Sequence, residues 1–139
     1  MTYLKVEIVT PDGLSYTCDD AKLVVVRTID GELGIMPGHT PIIAPLAIDE
    51  VRVKKERETT EQDIIATNGG IMEVRDDVLS IIADSAEKST DIDVPRAERA
   101  KLRAEARIEE AKKEQDIDRL RRAEVALSRA INRINVSKK

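Results

Sequence analysis

Four arginines at helical spacing are the residues of this chain best placed to do chemistry. Arg96 and Arg103 lie seven apart and Arg129 and Arg133 four apart, so each pair shares one face of a helix. If the two helices fold back on each other, four guanidiniums converge, and guanidinium is the group suited to bidentate phosphate binding. The plainer reading of the same residues is a solvated basic face. A second unusual segment runs from Asp30 to Pro41, where Gly31, Gly34, Gly38, Pro37 and Pro41 define a fixed loop rather than a flexible one. It is either a crossover between sheets or, with Glu32, Met36 and His39 along it, a docking surface.

Catalytic signatures are missing from the sequence. There is no G-x-x-x-x-G-K-[ST] phosphate loop, no H-E-x-x-H, no C-x-x-C and no G-x-S-x-G. One histidine, His39, and one cysteine, Cys18, leave no metal cluster, no histidine-based triad and no internal disulfide. An enzyme reading therefore has no nucleophile and no metal site to rest on.

The elements that must carry these segments fall into two halves. Leu4, Val6 and Ile8 alternate with Lys5 and Glu7, the period of a half-buried strand. Pro11-Asp12-Gly13 is turn chemistry, and Leu23–Val26, closed by Asp30-Gly31, is a second apolar run. Val51 and Val53 precede a charged tip around 54–60, and Ile64–Thr67 runs to a turn at Asn68-Gly69-Gly70. Ile71–Val74 and Val78–Ala83, parted by Asp76-Asp77, complete an all-β sandwich or barrel.

Beyond residue 70 the chain contains no glycine, and Ala, Glu, Arg, Lys and Leu take over after Ala83. Asp93 reads as an N-cap with Pro95 in the first turn. Ala97, Ala100, Ala104, Ile108 and Ala111 form one stripe; Ile117, Leu120, Ala123, Leu127, Ile131 and Ile134 form another. Between them Lys112–Asp116 holds neither Gly nor Pro, so one continuous helix and a hairpin both remain open. The alanine stripe favours the hairpin, because small side chains let helices approach closely. Such a face buries little area at ~25 cal/mol per Å2, so the pairing is marginal, as a conformational switch requires.

Composition sets the outer limits. The chain has 139 residues, 41% of them apolar and 1% aromatic, so its core must be aliphatic and stacking on nucleic-acid bases is ruled out. The net charge of -4 conceals a split: residues 1–91 sum to about -9 and residues 92–139 to about +5. No apolar run approaches the ~20 residues of a membrane span, and no leader is legible, which points to a cytoplasmic setting.

Four stretches give the chain a family likeness. Gly31–Pro41, Asn68-Gly69-Gly70, Ala83-Asp84-Ser85-Ala86-Glu87 and Arg122-Ala123-Glu124-Val125-Ala126-Leu127 resemble, in order, the epsilon subunits of bacterial proton-translocating ATP synthases. The resemblance implies a β-sandwich of about ten strands over residues 1–86 and an antiparallel two-helix regulatory domain over 87–139. It implies a non-catalytic rotor subunit of the central stalk, peripheral to the cytoplasmic face of the cell membrane. The sandwich would bind the gamma subunit and the c-ring, with Glu32 and His39 at the c-ring positions. The helices would lie folded on the sandwich, or extend toward the alpha and beta catalytic subunits and restrain ATP hydrolysis.

Some members bind regulatory ATP through an I/L-D-x-x-R-A motif, which Ile92-Asp93-Val94-Pro95-Arg96-Ala97 is similar to, with Pro95 set inside it. On that likeness Glu87, Asp93, Arg96, Arg103, Arg129 and Arg133 occupy the nucleotide-contact positions, with no other cofactor and no metal. The rival reading is a free-standing adaptor whose basic helical hairpin binds unrelated proteins. A nucleic-acid binder is disfavoured by the acidic first half.

Overall fold

A computed structural model describes residues 2–56 and 60–139; the middle of the charged tip expected around 54–60 lies outside the described residues. The eight strands are β1 (Leu4–Thr10), β2 (Gly13–Ala21), β3 (Leu23–Thr28), β4 (Gly31–Ile35), β5 (Ile42–Lys54), β6 (Asp63–Arg75), β7 (Val78–Ile82) and β8 (Ala86–Lys88). A 3-10 turn at Ser89–Asp91 leads into helices α1 (Val94–Glu114) and α2 (Ile117–Ser137).

The strands follow the order β2-β1-β7-β6-β5-β3-β4, with β8 also on β6. β5 and β6 are each 13 residues long and pair antiparallel in one unbroken register from Ile42↔Val74 to Val53↔Asp63. Their first and second halves serve different layers. The C-terminal half of β6 takes β7, its N-terminal half takes β8, and the C-terminal half of β5 takes β3. The expected ten strands are reached only by counting β5 and β6 twice; eight are present among the described residues. β8 pairs with β6 as far as Lys88.

Asn68-Gly69-Gly70 is not the expected turn between strands. It lies inside β6, facing the break at 83–85 where β7 passes into β8 without changing register on β6. Gly69 and Gly70 have φ of 78° and 137°, and a Cβ on Gly70 would sit 2.2 Å from the Ile82 carbonyl oxygen. The glycine is there for close approach of two backbones.

The core is aliphatic, as the composition requires. Leu4, Val6, Ile8, Val24, Val26, Ile35, Met72, Leu79 and Ile81 are fully buried between the layers. Tyr16 on β2 closes the sandwich, its hydroxyl donating to Asp63 Oδ2 at 2.7 Å while Lys88 Nζ lies 3.4 Å from Asp63 Oδ1. Burial, and next the Asp63 carboxylate, push the Tyr16 hydroxyl well above the ordinary phenol range. Because the folded-state value is raised, the stabilisation is complete below the ordinary tyrosine value near ~10 and is lost as pH rises above it. Tyr16→Phe should therefore cost about 1 kcal/mol at neutral pH, and that deficit should shrink in urea titrations carried above pH ~10. A deficit that stays constant with pH would remove the phenol from this account.

Both helices begin where an aspartate caps them. Asp93 accepts from the Arg96 amide and Asp116 from the Arg119 amide, each at 3.1 Å. Of the two readings of 112–116, the hairpin is correct: α1 ends at Glu114, its cap Gln115 is in the left-handed region with φ 54°, and α2 starts two residues after that cap. Arg119 of α2 reaches back to Glu114 at 2.6 Å and Glu110 at 3.7 Å, which fixes the helices as antiparallel.

Between the helices the buried residues are Ala97, Ala104 and Ala111 against Ala123 and Ala130, spaced by seven. The stripe expected on α2 needs correction. Ile117 is 64% and Ile131 38% exposed, whereas Ala130, Asn132 and Val136 are buried. α2 is rolled about its axis because it has two neighbours, α1 on its alanine side and the sandwich on the side of Asn132 and Val136.

Candidate functional site

Three surfaces could act: the seam that holds the hairpin, an arginine-lined cavity beside it, and the outer face of the sandwich. The seam is thin. On β6, Ile65 points into the core while Ile64 and Ala66 point outward, where they meet Ile92 and Val136 in a separate cluster of four. This double burial explains why Ile64–Asn68 is buried throughout, as a strand covered on both faces must be. Beside that cluster the Asn132 amide nitrogen donates to the carbonyls of Asp49 at 3.1 Å and Thr67 at 3.2 Å, on β5 and β6. Ion pairs complete the seam: Arg133 with Glu87 at 2.7 Å, Arg129 with Asp84 at 3.5 Å, and Lys139 with Glu50. Ion pairs of this partly exposed kind are each worth about 0–1 kcal/mol, so the amide and the small cluster dominate.

The cavity, about 310 Å3, opens where α1, α2 and the sandwich meet. Arg103 and Arg107 enter it from α1, Arg129 and Arg133 from α2, and Asn68, Asp84 and Ser85 from the sandwich rim. Three of the four arginines singled out in the sequence thus converge. Arg96 does not line the cavity, and Arg107, one helical turn beyond Arg103, takes the fourth place. Asp93 is occupied as the α1 cap, and Glu87 stands on β8 bound to Arg133. Arg107 was legible in principle, since it shares a helix face with Arg103.

Glu32 and His39 sit at opposite ends of one segment. Glu32 is near the start of the edge strand β4, paired across to Arg52 of β5. His39 lies in the loop after β4, where its Nδ1–H donates to Thr40 O at 2.6 Å. That loop is pinned to the β6–β7 turn by the Gly38 amide, which donates to Asp77 Oδ1 at 2.7 Å. The fixed loop read from its Gly and Pro content is therefore also tied from outside.

The outer face of the sandwich carries a feature that strand patterning missed. Leu14, Val9, Ile82, Ile71 and Pro45 are direct cross-strand partners in turn, across β2, β1, β7, β6 and β5. Partners in a sheet share a face, and all five are exposed, Ile82 by 69% and Leu14 by 60%. Ile43, two residues from Pro45, and Ile29, whose amide donates to Pro45 O, extend the row. A continuous apolar row of this extent on a sheet surface marks a protein-binding face. Its sequence signal is apolar doublets such as Ile8-Val9, Ile42-Ile43 and Ile81-Ile82, in which one residue must point away from the core.

No helix among the described residues is long and apolar enough to cross a membrane. Comparison with known proteins agrees with both halves of the chain. Residues 3–89 match the ATP synthase delta/epsilon chain β-sandwich domain, and residues 90–138 match the delta/epsilon chain long alpha-helix domain. The fold is similar to a chain in the Euglena gracilis mitochondrial ATP synthase OSCP/F1/c-ring structure, at 22% identity and a TM-score of 0.73, covering 92% of this chain and 77% of that one. It is also similar to a chain of the Tetrahymena thermophila mitochondrial ATP synthase central stalk and c-ring, at 14% identity and a TM-score of 0.54, covering 68% and 72%. With both domains matched in order over nearly its whole length, the chain belongs to the ATP synthase delta/epsilon family of non-catalytic stalk subunits.

Proposed function

We propose that this chain is the epsilon-type rotor subunit of a bacterial proton-translocating ATP synthase, held at the cytoplasmic face of the cell membrane through the complex. The observation that carries this reading is the apolar row from Leu14 to Pro45, a surface in need of a partner. Its partner is the gamma subunit of the stalk. The loop of His39 and the edge strand of Glu32 face the polar loops of the c-ring. With Ile71→Glu and Ile82→Glu together, two charges replace the middle of the row without touching the core. Co-sedimentation with purified gamma should show a complex with the wild-type chain and at least a 100-fold weaker one with the double variant, as for loss of central apolar anchors worth ~2 kcal/mol or more each. Undiminished binding would place the gamma contact elsewhere.

The hairpin is the regulatory part. Folded on the sandwich it leaves the rotor free; released, it extends toward the alpha and beta subunits and slows hydrolysis. ATP in the arginine cavity touches α1, α2 and the sandwich at once, so it favours the folded state. In this reading Arg103, Arg129 and Arg133, which line the cavity, take the phosphates. Calorimetric titration with MgATP should therefore give saturable binding that Arg129→Ala abolishes and Arg96→Ala leaves within about threefold, since Arg96 lies outside the cavity. Equal losses in the two variants would return Arg96 to the site.

A further inference from the structure

The arginine cavity does not end at Arg107. A second opening of about 260 Å3 continues along the α1–α2 seam, lined by Arg107, Arg119, Arg122, Ala123 and Ala126, and shares Arg107 and Ala126 with the first. The two form one groove with an alanine floor, running from Arg133 toward the hairpin turn. From residue 133 to residue 119 of α2 is fourteen residues, roughly 21 Å at ~1.5 Å per residue.

The charge along this groove is unbalanced. Arg129 and Arg133 are met by Asp84 and Glu87, and Arg119 by Glu110 and Glu114. Among the described residues Arg103, Arg107 and Arg122 have no ion pair. Two buried polar atoms add an independent sign of a missing ligand. Arg129 Nε has no hydrogen-bond partner, and neither has Oδ1 of Asn68, a residue only 6% exposed that lines the sandwich end of the groove. An unpaired guanidinium N–H calls for an acceptor, and an unpaired amide oxygen calls for a donor such as a hydroxyl, an amine or a protonated phosphate oxygen.

We infer that the groove is a binding site for a chain of linked phosphates longer than a triphosphate, lying along the hairpin from Arg133 and Arg129 through Arg107 to Arg122. This rests on the reading of the first cavity as an anion site and extends it to a second set of residues. The chemistry fits two sources, an inorganic polyphosphate or a nucleoside polyphosphate carrying more than three linked phosphates. Such a ligand bridges α1, α2 and the sandwich, a combination found only in the folded hairpin, so it stabilises that state by linkage.

The test is calorimetric titration of the full chain with inorganic tripolyphosphate, the longer inorganic pentapolyphosphate and adenosine 5′-pentaphosphate, repeated on an Arg107→Gln, Arg122→Gln double variant. Both substitutions are on exposed positions and should leave the melting temperature unchanged. The expected result is at least tenfold tighter binding per chain for the longer polyphosphate than for tripolyphosphate, with that gain lost in the double variant. Adenosine 5′-pentaphosphate binding tighter than pentapolyphosphate would identify the nucleotide as the source, with its uncharged end at Asn68; equal or weaker binding would identify free polyphosphate. Equal affinity for both chain lengths, or a gain that survives the double variant, would overturn the inference while leaving the first cavity as an anion site. Failure of all three ligands to bind would overturn both.

Discussion

Asn132→Leu is expected to release the helical hairpin while leaving the sandwich intact. Leucine keeps the bulk of asparagine and raises helix propensity, so α2 itself is not weakened. What disappears is the amide that spans from α2 to the Asp49 and Thr67 carbonyls. Asp49 O keeps a bond from Thr67 Oγ1 at 3.2 Å, and Asp49 and Thr67 are partners in the β5–β6 ladder. Losing two intramolecular hydrogen bonds at about 0.5–1.5 kcal/mol each costs about 1–3 kcal/mol, which displaces a two-state equilibrium by roughly 5–150-fold. The rest of the seam is four small apolar side chains and partly exposed ion pairs, too little to absorb that shift. Limited digestion with trypsin reads the outcome, because the hairpin is rich in arginine. The variant should lose residues beyond Lys88 at least fivefold faster, with the sandwich surviving and its urea midpoint unchanged. Digestion at the wild-type rate would mean that the apolar cluster alone holds the hairpin.

Gly70→Ala should do the opposite, destroying the sandwich from within. The added methyl would lie 2.2 Å from Ile82 O and 3.0 Å from Ala83 Cα, both backbone atoms, at a φ of 137° that only glycine adopts readily. Relief requires β6 and β7 to separate, and Met72, Val74, Leu79 and Ile81 of those strands are core residues. A loss of about 4 kcal/mol or more follows, a large part of the ~5–15 kcal/mol of a typical domain. Gly31→Ala is the matched control: its φ is 132°, yet nothing lies within 4 Å of the added Cβ. That variant should lose only the ~1–3 kcal/mol of backbone strain. Urea midpoints that coincide for the two variants would show that close approach at Gly70 is not what β6 needs.

The contrast between these two positions shows what sequence can and cannot convey here. Local chemistry was readable. The alternation of Leu4, Val6 and Ile8, the Asp93 cap and the alanine stripe of α1 depend on neighbours within a few residues. Asn68-Gly69-Gly70 misleads because the same residues serve a turn or a close backbone crossing, and only the partner strand at 83–85 decides. Asn132 reads as one more polar residue on a helix; its acceptors lie 83 and 65 residues away. The exposed row has the same origin, since Leu14, Val9, Ile82, Ile71 and Pro45 become neighbours only through register. In the cavity, helical spacing brought Arg103, Arg129 and Arg133 together correctly. It could not choose between Arg96 and Arg107, because that choice depends on where α2 crosses α1 and where the sandwich rim stands.

The central claim is that a stalk-bound sandwich holds a hairpin whose release restrains hydrolysis. It is tested most directly by measuring ATP hydrolysis by assembled alpha, beta and gamma subunits, with wild-type chain and with Asn132→Leu added to saturation. The account predicts a lower rate with the wild-type chain than with none, and a rate lower again, by about fivefold or more, with Asn132→Leu, following the displaced equilibrium. A rate equal to or above the wild-type value, with the variant chain bound, would contradict it.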